Sequence, residues 1–339
     1  MAEEALVPET TDLTAAIDVL RRLRERVGAQ VLGRDEVIDL VLVALLSDGH
    51  VLLEDFPGSG KTTLAKALGS SIVDDRADAR DAIVPFRRIQ FTPDLLPSDV
   101  TGVSVFDAAT QDFHFRHGPI FAHVVLADEI NRTSPKVQAA MLEAMGEKQV
   151  TVDNVTHPLD ALFFVIATQN PLDVAGTYPL PVPQLDRFLF KLRMEHIERA
   201  AEMQVLESLQ ERRDIERTDL PRVTRSEVLE ARSAIETGVA IDTAVKECLV
   251  DISRALRADA RVLQGNSTRS LVLTLPALQA RAALHERIYV SSEDVEAILP
   301  LVLGHRVELA LGTAELAPVL EDAMREPLEV LARATLQRR

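Results

Sequence analysis

A glycine-rich segment in the first fifth of the chain carries side chains suited to binding a phosphate chain. It follows the apolar, strand-like residues Val51–Leu53, and the residues after it have the spacing of one helix face. Loop amides and the dipole of the following helix attract anions in this position. Lys61 adds a cation for the outer phosphates, and Thr62 offers a hydroxyl to Mg²⁺. The predicted phosphate contacts are Pro57, Gly58, Ser59, Gly60, Lys61, Thr62 and Thr63.

The spacing matches the pattern GxxxxGK[ST], the Walker A motif, except at its first position, where Asp55 replaces glycine. Aspartate adopts left-handed backbone conformations at modest cost, so the turn can survive this replacement. The alternative is a glycine-rich turn that carries a lysine by chance.

A pair of acids ends the apolar run Val124–Ala127. Adjacent carboxylates at a strand end are costly unless a cation or a water-activating role requires them. Asp128 is suited to holding Mg²⁺, partly through water, and Glu129 to polarising a water that attacks a γ-phosphate. The alternative is a solvated acid pair. Together with Lys61, the pair predicts hydrolysis of a nucleoside triphosphate.

Three further polar residues stand where they can act on the same phosphate. Asn170 follows the strand candidate Leu162–Thr168 and can orient a water, although an ordinary Asn-Pro turn is the alternative. Arg187, after Asp186, can reach a neighbouring subunit's nucleotide as an arginine finger, or form a surface ion pair. Arg269, near a helix start, can contact a γ-phosphate or be an ordinary exposed arginine.

Two residues are weaker candidates. Gly33, before the phosphate loop, would let the backbone approach an adenine base, although a turn between helices explains it nearly as well. Gln90, at the end of the second strand, can hydrogen-bond Glu129 and keep it idle.

Alternating strands and helices predict an α/β fold with a parallel sheet covered on both faces, which binds ligands at the carboxyl ends of its strands. Two segments, near 103–115 and 149–155, are expected to be hairpin insertions. The strand candidates are Val51–Leu53, Phe86–Phe91, Val124–Ala127, Leu162–Thr168 and Arg187–Leu192.

After about Glu195 the strand signals end, and the pattern predicts only helices. The expected domains are a flexible N-terminus at residues 1–11, a nucleotide-binding core at 12–196 and an all-α lid at 197–339. The predicted helices of the second half span 197–209, 225–237, 242–257, 270–286, 292–303 and 316–336.

The composition limits the partners. A net charge of −16 over 339 residues disfavours general nucleic-acid binding, which requires a basic surface. The single cysteine, Cys248, suits the cytoplasm. We expect no signal peptide, because no apolar segment stands near the N-terminus, and no transmembrane segment, because the longest apolar runs are too short to cross a bilayer. His114 and His117 lack a third residue at a spacing typical of zinc sites.

Several stretches together resemble the MoxR family of AAA+ ATPases, and the resemblance covers most of residues 30–306. They are Leu53–Lys66, Arg88–Gly102, Gly118–Asp153 and Ala167–Phe188. The resemblance implies the AAA+ P-loop fold, strand order 5-1-4-3-2 and a C-terminal helical lid. It implies that Lys61 and Thr62 belong to Walker A, Asp128 and Glu129 to Walker B, Asn170 to sensor 1, Arg187 to the arginine finger and Arg269 to sensor 2.

The resemblance also implies ATP and Mg²⁺ as ligands and a homo-oligomeric ring, expected to be a hexamer. It implies a chaperone-like remodeller that matures protein complexes or inserts their cofactors, with a von Willebrand A domain partner and a client complex. One departure lies in the lid, where Ser267-Thr268-Arg269 replaces the Ser-Pro-Arg that family members often carry.

Three alternatives remain at this stage. A nucleic-acid motor shares the ATPase core but is disfavoured by the acidic charge. A small-molecule P-loop kinase would need neither Arg187 from a neighbour nor a helical lid. A nucleotide-gated scaffold without hydrolysis would have no use for Glu129.

Overall fold

The computed structural model describes residues 10–54, 58–76, 83–170, 176–208 and 220–336. Its contacts divide the chain into two units. The α/β unit comprises Arg22–Leu45 and Gly49–Ser226, and the helical unit comprises Met1–Arg21, Leu46–Asp48 and Glu227–Arg339. The predicted domain boundaries stay predictions, and residues 1–9 of the expected flexible terminus lie outside the described residues.

Strands and helices alternate through the α/β unit. Its strands are β1 (Val51–Glu54), β2 (Ile72–Val73), β3 (Val84–Gln90), β4 (Gly102–Asp107), β5 (Asp112–His117), β6 (Ala122–Asp128), β7 (Gln149–Val152), β8 (Val155–Pro158), β9 (Phe164–Gln169), β10 (Phe190–Arg193) and β11 (Val223–Thr224). The helices up to this point are α1 (Thr10–Gly28), α2 (Asp35–Leu46), α3 (Lys61–Ser71), α4 (Pro97–Thr101), α5 (Pro135–Glu147), α6 (Val182–Leu185) and α7 (Arg199–Glu207).

Five parallel strands form the central sheet in the order β10-β1-β9-β6-β3. Numbered along the chain, this is 5-1-4-3-2, which confirms the predicted order. Every residue of β6 is buried, as expected for a strand covered on both faces. Because β9 lies between β1 and β6, the strand that precedes the phosphate loop and the strand that ends in the acid pair share one neighbour.

The register divides the side chains of the sheet between two faces. Phe86, Arg88 and Gln90 pair with Val124, Leu126 and Asp128, so all six point to the same side. Gly69 of α3 lies directly against Phe86, which places α3 on this face. The other face, with Ile89, Val125 and Ala127, packs against α5 through Val137, Met141 and Leu142.

Antiparallel hairpins occur at both predicted insertions. β4 pairs with β5, and β7 pairs with β8. In the first hairpin, the exposed rings of Phe106 and Phe113 face each other with centroids 5.2 Å apart. Phe115 of this hairpin stacks on His157 of the second at 3.7 Å, so an aromatic contact joins the two insertions.

The second half of the chain follows the predicted pattern of helices, with two corrections. β11, which belongs to the α/β unit, pairs with β2. A second strand pair lies in the helical unit. A short antiparallel pair joins β12 (Val262–Gln264) to β13 (Glu308–Leu309), so the second half is not free of strands. Strands of three and two residues, such as β12 and β13, are too short to show the alternation of apolar and polar residues by which a strand is predicted. The helices of the helical unit are α8 (Arg225–Gly238), whose first two residues, Arg225 and Ser226, still belong to the α/β unit, α9 (Thr243–Ala258), α10 (Thr268–Leu284), α11 (Ser292–Leu303) and α12 (Ala317–Leu336).

The predicted element ends shift in places. The last strand of the sheet begins at Phe190 rather than Arg187, because residues 182–187 form α6 and a turn. Pro276 lies inside α10 without ending it. The end of the helix predicted over 197–209 falls partly outside the described residues. Cys248 is buried, and burial raises the pKa of its thiol to about 11.

A buried ion cluster lies near the amino end of the sheet. The ring of His123, on β6, is buried with Nδ1 3.5 Å from Asp160 Oδ1 and Nε2 3.5 Å from Asp74 Oδ2. Arg225 Nε donates to Asp160 Oδ1 at 2.8 Å, and Arg76 Nη1 lies 3.1 Å from Asp160 Oδ2. Asp160 therefore joins the start of α8 to the segment that follows β2.

These contacts set the charge state of Asp160. Burial alone raises the pKa of its carboxyl group, but contacts with His123, Arg225 and a backbone amide outweigh burial and hold the pKa well below its ordinary value. The hydrogen bond with Arg76 lowers the pKa of Asp74 to about 2. Both carboxylates are therefore ionised in the folded protein over the neutral and mildly acidic range.

No helix among the described residues is both long and apolar enough to span a lipid bilayer.

Replacing Asp160 by asparagine should remove this central charge at nearly constant volume. We expect Asp160→Asn to lower the free energy of unfolding by about 3 kcal/mol at neutral pH, because two arginines lose a buried partner. Since the folded pKa of Asp160 is depressed, its contribution is complete above the unfolded pKa of about 4 and shrinks as the pH falls below it. Urea unfolding followed by circular dichroism at several pH values measures the difference.

Asp153→Asn is the matched control, because Asp153 is exposed in the β7–β8 turn and asparagine accepts its positive φ of 50°. Equal losses in the two variants, or a loss for Asp160→Asn that does not shrink at acidic pH, would contradict the interpretation of the cluster.

Candidate functional site

The phosphate loop connects β1 to α3 at the carboxyl edge of the sheet. Gly58 and Gly60 have φ values of 91° and 96°, which side-chain-bearing residues rarely adopt. Gly60 is the N-cap of α3, and the first intrahelical bond runs from Leu64 N to its carbonyl at 2.9 Å. The first-turn amides point toward the loop, where they can donate to an anion. Asp55 and Pro57 lie outside the described residues.

Space for a ligand lies above this loop. A Cβ added to Gly58 or Gly60 would have no heavy atom within 4 Å, so backbone conformation, not crowding, requires glycine at both positions. Lys61 is half-buried at the first position of α3, and Thr62 and Thr63 are exposed beside it. The first turn of α3 therefore presents an ammonium group and two hydroxyls at the edge of an open volume.

A cavity of about 380 Å³ adjoins the loop within the α/β unit. Its lining combines Gly58 and Ser59 of the loop with the apolar side chains of Ile197, Val205 and Leu206. A lining that joins the anion-binding loop to apolar side chains suits a molecule with a charged tail and a flat aromatic ring. The remaining lining residues are Arg34, Met194, Glu195, His196 and Glu202.

Gly33 packs closely against residues beside this cavity. Its φ is 68°, and a Cβ at this position would overlap that of Ala201 on α7. The neighbouring Arg34 lines the cavity, and its Nη2 donates to Ser59 O at 3.4 Å. The structure thus places Gly33 in close packing with α7, next to a residue that faces the cavity.

The acid pair lies at the carboxyl end of β6, where Asp128 is the last residue, on the side of the sheet covered by α3, and Glu129 comes directly after it. Asp128 is 5% exposed, and its Oδ1 accepts a hydrogen bond from Thr168 Oγ1 at 2.6 Å. The same Thr168 oxygen accepts from the backbone amide of Glu129 at 2.9 Å. One hydroxyl on β9 therefore positions both acids of β6.

Glu129 has a left-handed backbone, with φ 58° and ψ 47°, immediately after the strand. Its Oε2 accepts from Gln90 Nε2 at 2.8 Å and lies 3.2 Å from Arg132 Nε. The predicted hydrogen bond between Gln90 and Glu129 is therefore present. Asp128 Oδ2 in turn accepts from Arg88, at 2.6 Å from Nη2 and 3.1 Å from Nε.

Other predicted residues lie farther along the chain. Asn170 follows the last residue of β9 and is half-buried. Arg187 lies in the turn after α6, with its guanidinium against Gly146 of α5, where a Cβ would overlap it. Arg269 is exposed in the first turn of α10, which Ser267 caps by accepting from Ser270 N at 3.3 Å. Arg269 belongs to the helical unit.

The donor set fits Mg²⁺ better than a metal held entirely by protein. Among residues 10–54, 58–76, 83–170, 176–208 and 220–336, no group of three or more His, Cys, Asp or Glu side chains is placed to hold a metal. Mg²⁺ usually takes one or two protein oxygens and completes its shell with water and phosphate oxygens. Thr62 and Asp128, both on the α3 side of the sheet, would be able to supply such oxygens.

Sequence reasoning missed two members of the site, Thr168 and Arg88. The strand pattern contained a signal for each. Thr168 is one residue beyond Ala167, which pairs with Ala127, so it must lie beside Asp128. Arg88 is two residues before Gln90 on the same face of β3. Both inferences require the strand order, which becomes certain only in the folded structure.

Comparison with known proteins agrees with this geometry. The ATPase family associated with various cellular activities (AAA) matches residues 50–190, and the AAA lid domain matches residues 254–327. The uncharacterized protein YeaC of Bacillus subtilis is 46% identical over 86% of this chain and 87% of its own. Chaperone MoxR1 of Mycobacterium tuberculosis is 34% identical over 91% of this chain and 80% of its own.

A solved structure extends the likeness to three dimensions. The crystal structure of a proposed ATPase from Cytophaga hutchinsonii superimposes with a TM-score of 0.81 at 32% identity. The match covers 93% of this chain and 96% of that one. With the sheet order, the phosphate loop and the acid pair in place, the chain belongs to the MoxR family of AAA+ ATPases.

Proposed function

We propose that this AAA+ ATPase hydrolyses Mg²⁺-ATP at the carboxyl edge of its sheet and uses the reaction to remodel protein complexes. The observation that carries the proposal is the position of Thr168, whose hydroxyl holds Asp128 and the Glu129 amide beside the strand that leads into the phosphate loop. A buried carboxylate and a second, more exposed one in this arrangement match the needs of a metal and of an attacking water.

Each residue of the loop has a defined task in this proposal. The amides after Gly58 and Gly60 bind the phosphates, and Lys61 Nζ neutralises the outer ones. Thr62 and Asp128 hold Mg²⁺, Asp128 partly through water. Held there, the ion would supply positive charge against the negative charge of the phosphate chain during hydrolysis. The cavity wall of Ile197, Val205 and Leu206 receives the adenine ring.

Glu129 is the residue that polarises the attacking water, and Asn170 orients that water. In the structure, Gln90 and Arg132 both contact Glu129 Oε2. A carboxylate held by these two side chains is not free to turn toward an attacking water. Hydrolysis therefore requires Glu129 to leave Gln90, so the contact keeps the enzyme idle until the site is complete.

The site is completed by a neighbouring subunit. Arg187 supplies the arginine finger, and Arg269 contacts the γ-phosphate as sensor 2. We infer a homo-oligomeric ring, a hexamer in the simplest case, because Arg187 then serves the nucleotide of the next subunit. An arginine supplied in this way accelerates phosphoryl transfer by about 10³–10⁵-fold in well-studied systems.

The remodelling role is supported by the name of one relative, Chaperone MoxR1. We propose that this chain acts as a chaperone that matures protein complexes or inserts their cofactors, together with a partner bearing a von Willebrand A domain. The joined hairpins, with exposed Phe106 and Phe113, are suited to contact a client. The net charge of −16 disfavours nucleic acid as the client.

Binding and turnover should separate in two variants of the site. We expect Lys61→Ala to abolish ATP binding, because the outer phosphates lose their cation. Glu129→Gln should bind ATP with near wild-type affinity and stall hydrolysis, because an amide cannot accept the proton of the attacking water. Calorimetric titration and phosphate release measure the two effects. ATP affinity retained in Lys61→Ala, or wild-type turnover in Glu129→Gln, would remove that residue from the mechanism.

A shared site predicts complementation between inactive variants. Arg187→Ala should lower turnover by about a thousandfold, and mixing it with Lys61→Ala should restore activity, since each subunit supplies what the other lacks. Native mass spectrometry establishes that mixed rings form. Mixed rings without recovered turnover would show that each subunit contains its whole site.

Gly146→Ala tests the same arginine without changing it. The new methyl group would displace the guanidinium of Arg187, so turnover should fall while nucleotide binding stays intact. Gly28→Ala is the matched control, because a Cβ there meets no heavy atom within 4 Å. An unchanged turnover in Gly146→Ala would mean that the observed position of Arg187 has no role in hydrolysis.

Thr168 should be needed for turnover rather than for nucleotide binding. Thr168→Val removes the hydroxyl at constant shape, so Asp128 loses a donor and the Glu129 amide loses its acceptor. We expect turnover to fall by about 10- to 100-fold, the equivalent of one hydrogen bond to a charged group. Thr168→Ser should recover most of it. Steady-state phosphate release and nucleotide titration distinguish this result from a general loss of folding.

A further inference from the structure

Arg88 on β3 connects the two acids of the site, and the mechanism above gives it no role. Its guanidinium donates twice to Asp128 Oδ2, from Nη2 at 2.6 Å and from Nε at 3.1 Å. The same Nη2 donates to Gln90 Oε1 at 2.7 Å, and Gln90 Nε2 donates to Glu129 Oε2 at 2.8 Å. A continuous chain of hydrogen bonds therefore runs from Asp128 to Glu129 through Arg88 and Gln90.

Burial is unequal within the ion pair. The side chain of Asp128 is 7% exposed, whereas that of Arg88 is 48% exposed. A nearly buried carboxylate needs a cation close by, but a half-exposed guanidinium can turn into solvent at little cost. The side chain of Arg88 can therefore move away from the ion pair into solvent, whereas that of Asp128 cannot.

Arg88 also decides which way the amide of Gln90 points. A guanidinium has only donors, so it must face the carbonyl oxygen of the Gln90 side chain. The NH₂ group of Gln90 is then directed at Glu129, where it donates. Without Arg88 the amide loses the contact that fixes this orientation, and its grip on Glu129 weakens.

We propose that Arg88 is a positioning residue that competes with the divalent cation for Asp128 and, through Gln90, couples metal binding to the release of Glu129. The proposal rests on the proposed function of Asp128 and Glu129. With no metal present, Arg88 neutralises Asp128 and orients Gln90 so that Glu129 is held. When a divalent cation takes over the charge of Asp128, Arg88 is released, Gln90 loses its anchor, and Glu129 is free to polarise water.

Competition follows from the occupancy of the carboxylate. Asp128 Oδ1 accepts from Thr168, and Oδ2 accepts from two N–H groups of Arg88, which leaves little capacity for a metal-bound water. A divalent cation and a guanidinium at the same carboxylate also repel each other. Metal binding must therefore displace Arg88 at least partly, and the affinity for the metal is reduced by this displacement.

The experiment measures how much a divalent metal strengthens nucleotide binding. A fluorescent ADP analogue is titrated into the full-length protein with excess Mg²⁺ and, separately, with a chelator, and the ratio of the two dissociation constants is compared among variants. We expect Arg88→Gln to raise the contribution of Mg²⁺ by about tenfold, the scale of one charge-assisted hydrogen bond. The Mg²⁺ concentration for half-maximal turnover should fall in parallel.

Arg87→Gln is the matched control, since it removes the same charge from the neighbouring position on the opposite face of β3. Its Mg²⁺ contribution should equal that of the wild type. An Arg88→Gln ratio equal to that of Arg87→Gln, or lower than that of the wild type, would overturn the proposal. Loss of ADP binding by the wild type itself would instead contradict the proposed function.

Gln90→Leu tests the coupling step. This variant should leave the Mg²⁺ contribution unchanged, because Gln90 does not contact Asp128 in the described hydrogen bonds. Its effect on turnover should not add to that of Arg88→Gln, and the double variant should turn over at the rate of Gln90→Leu alone. Additive effects would show that the two residues act separately and would overturn the coupling.

Discussion

The hydrogen bond from Thr168 to Asp128 is the interaction on which the site depends. It joins the carboxyl ends of two adjacent parallel strands, β9 and β6, and the same hydroxyl receives the Glu129 amide. The strand order places β9 between β6 and β1, so Thr168 lies between the acids and the strand of the phosphate loop. A one-residue slip of β9 would turn this hydroxyl to the face packed against α5 and leave Asp128 without its donor.

The acid pair shows how the sheet gives two similar side chains different tasks. Asp128 is the last residue of a buried strand and accepts hydrogen bonds from Thr168 and Arg88, so it stays fixed. Glu129 leaves the strand with a left-handed backbone and is held by half-exposed partners, so its carboxylate can move. A fixed acid suits a metal, and a movable acid suits a step that occurs only in a complete site.

Much of this arrangement follows from local sequence. The phosphate loop, the acid pair and the five strands are each bounded by strong local signals, and the resemblance supplied the strand order that the structure confirms. The hydrogen bond between Gln90 and Glu129 also follows from local sequence, because the two residues stand at the ends of strands that pair in the sheet. The roles of Asn170, Arg187 and Arg269 remain predictions, because they concern a bound nucleotide or another subunit.

The remainder depends on register and on short elements. Arg88 and Thr168 both hydrogen-bond Asp128, which lies 40 positions away in the sequence, and no local pattern predicts pairs at such a separation. The strand pair of β12 and β13 was missed because two or three residues carry no periodicity. Arg187 was assigned to a strand because Phe188-Leu189-Phe190 continues its apolar run, whereas α6 and its turn delay the strand to Phe190.

The close approach of Gly33 to Ala201 has a mechanical consequence for the cavity. Only a glycine hydrogen separates the turn before α2 from α7, so neither segment can advance toward the other. Arg34, the next residue, reaches the carbonyl of Ser59 in the phosphate loop. A movement of α7 toward Gly33 would therefore displace the turn before α2. Through Arg34 this displacement would reach Ser59 of the phosphate loop, so the helix that lines the cavity and the phosphate loop would move together.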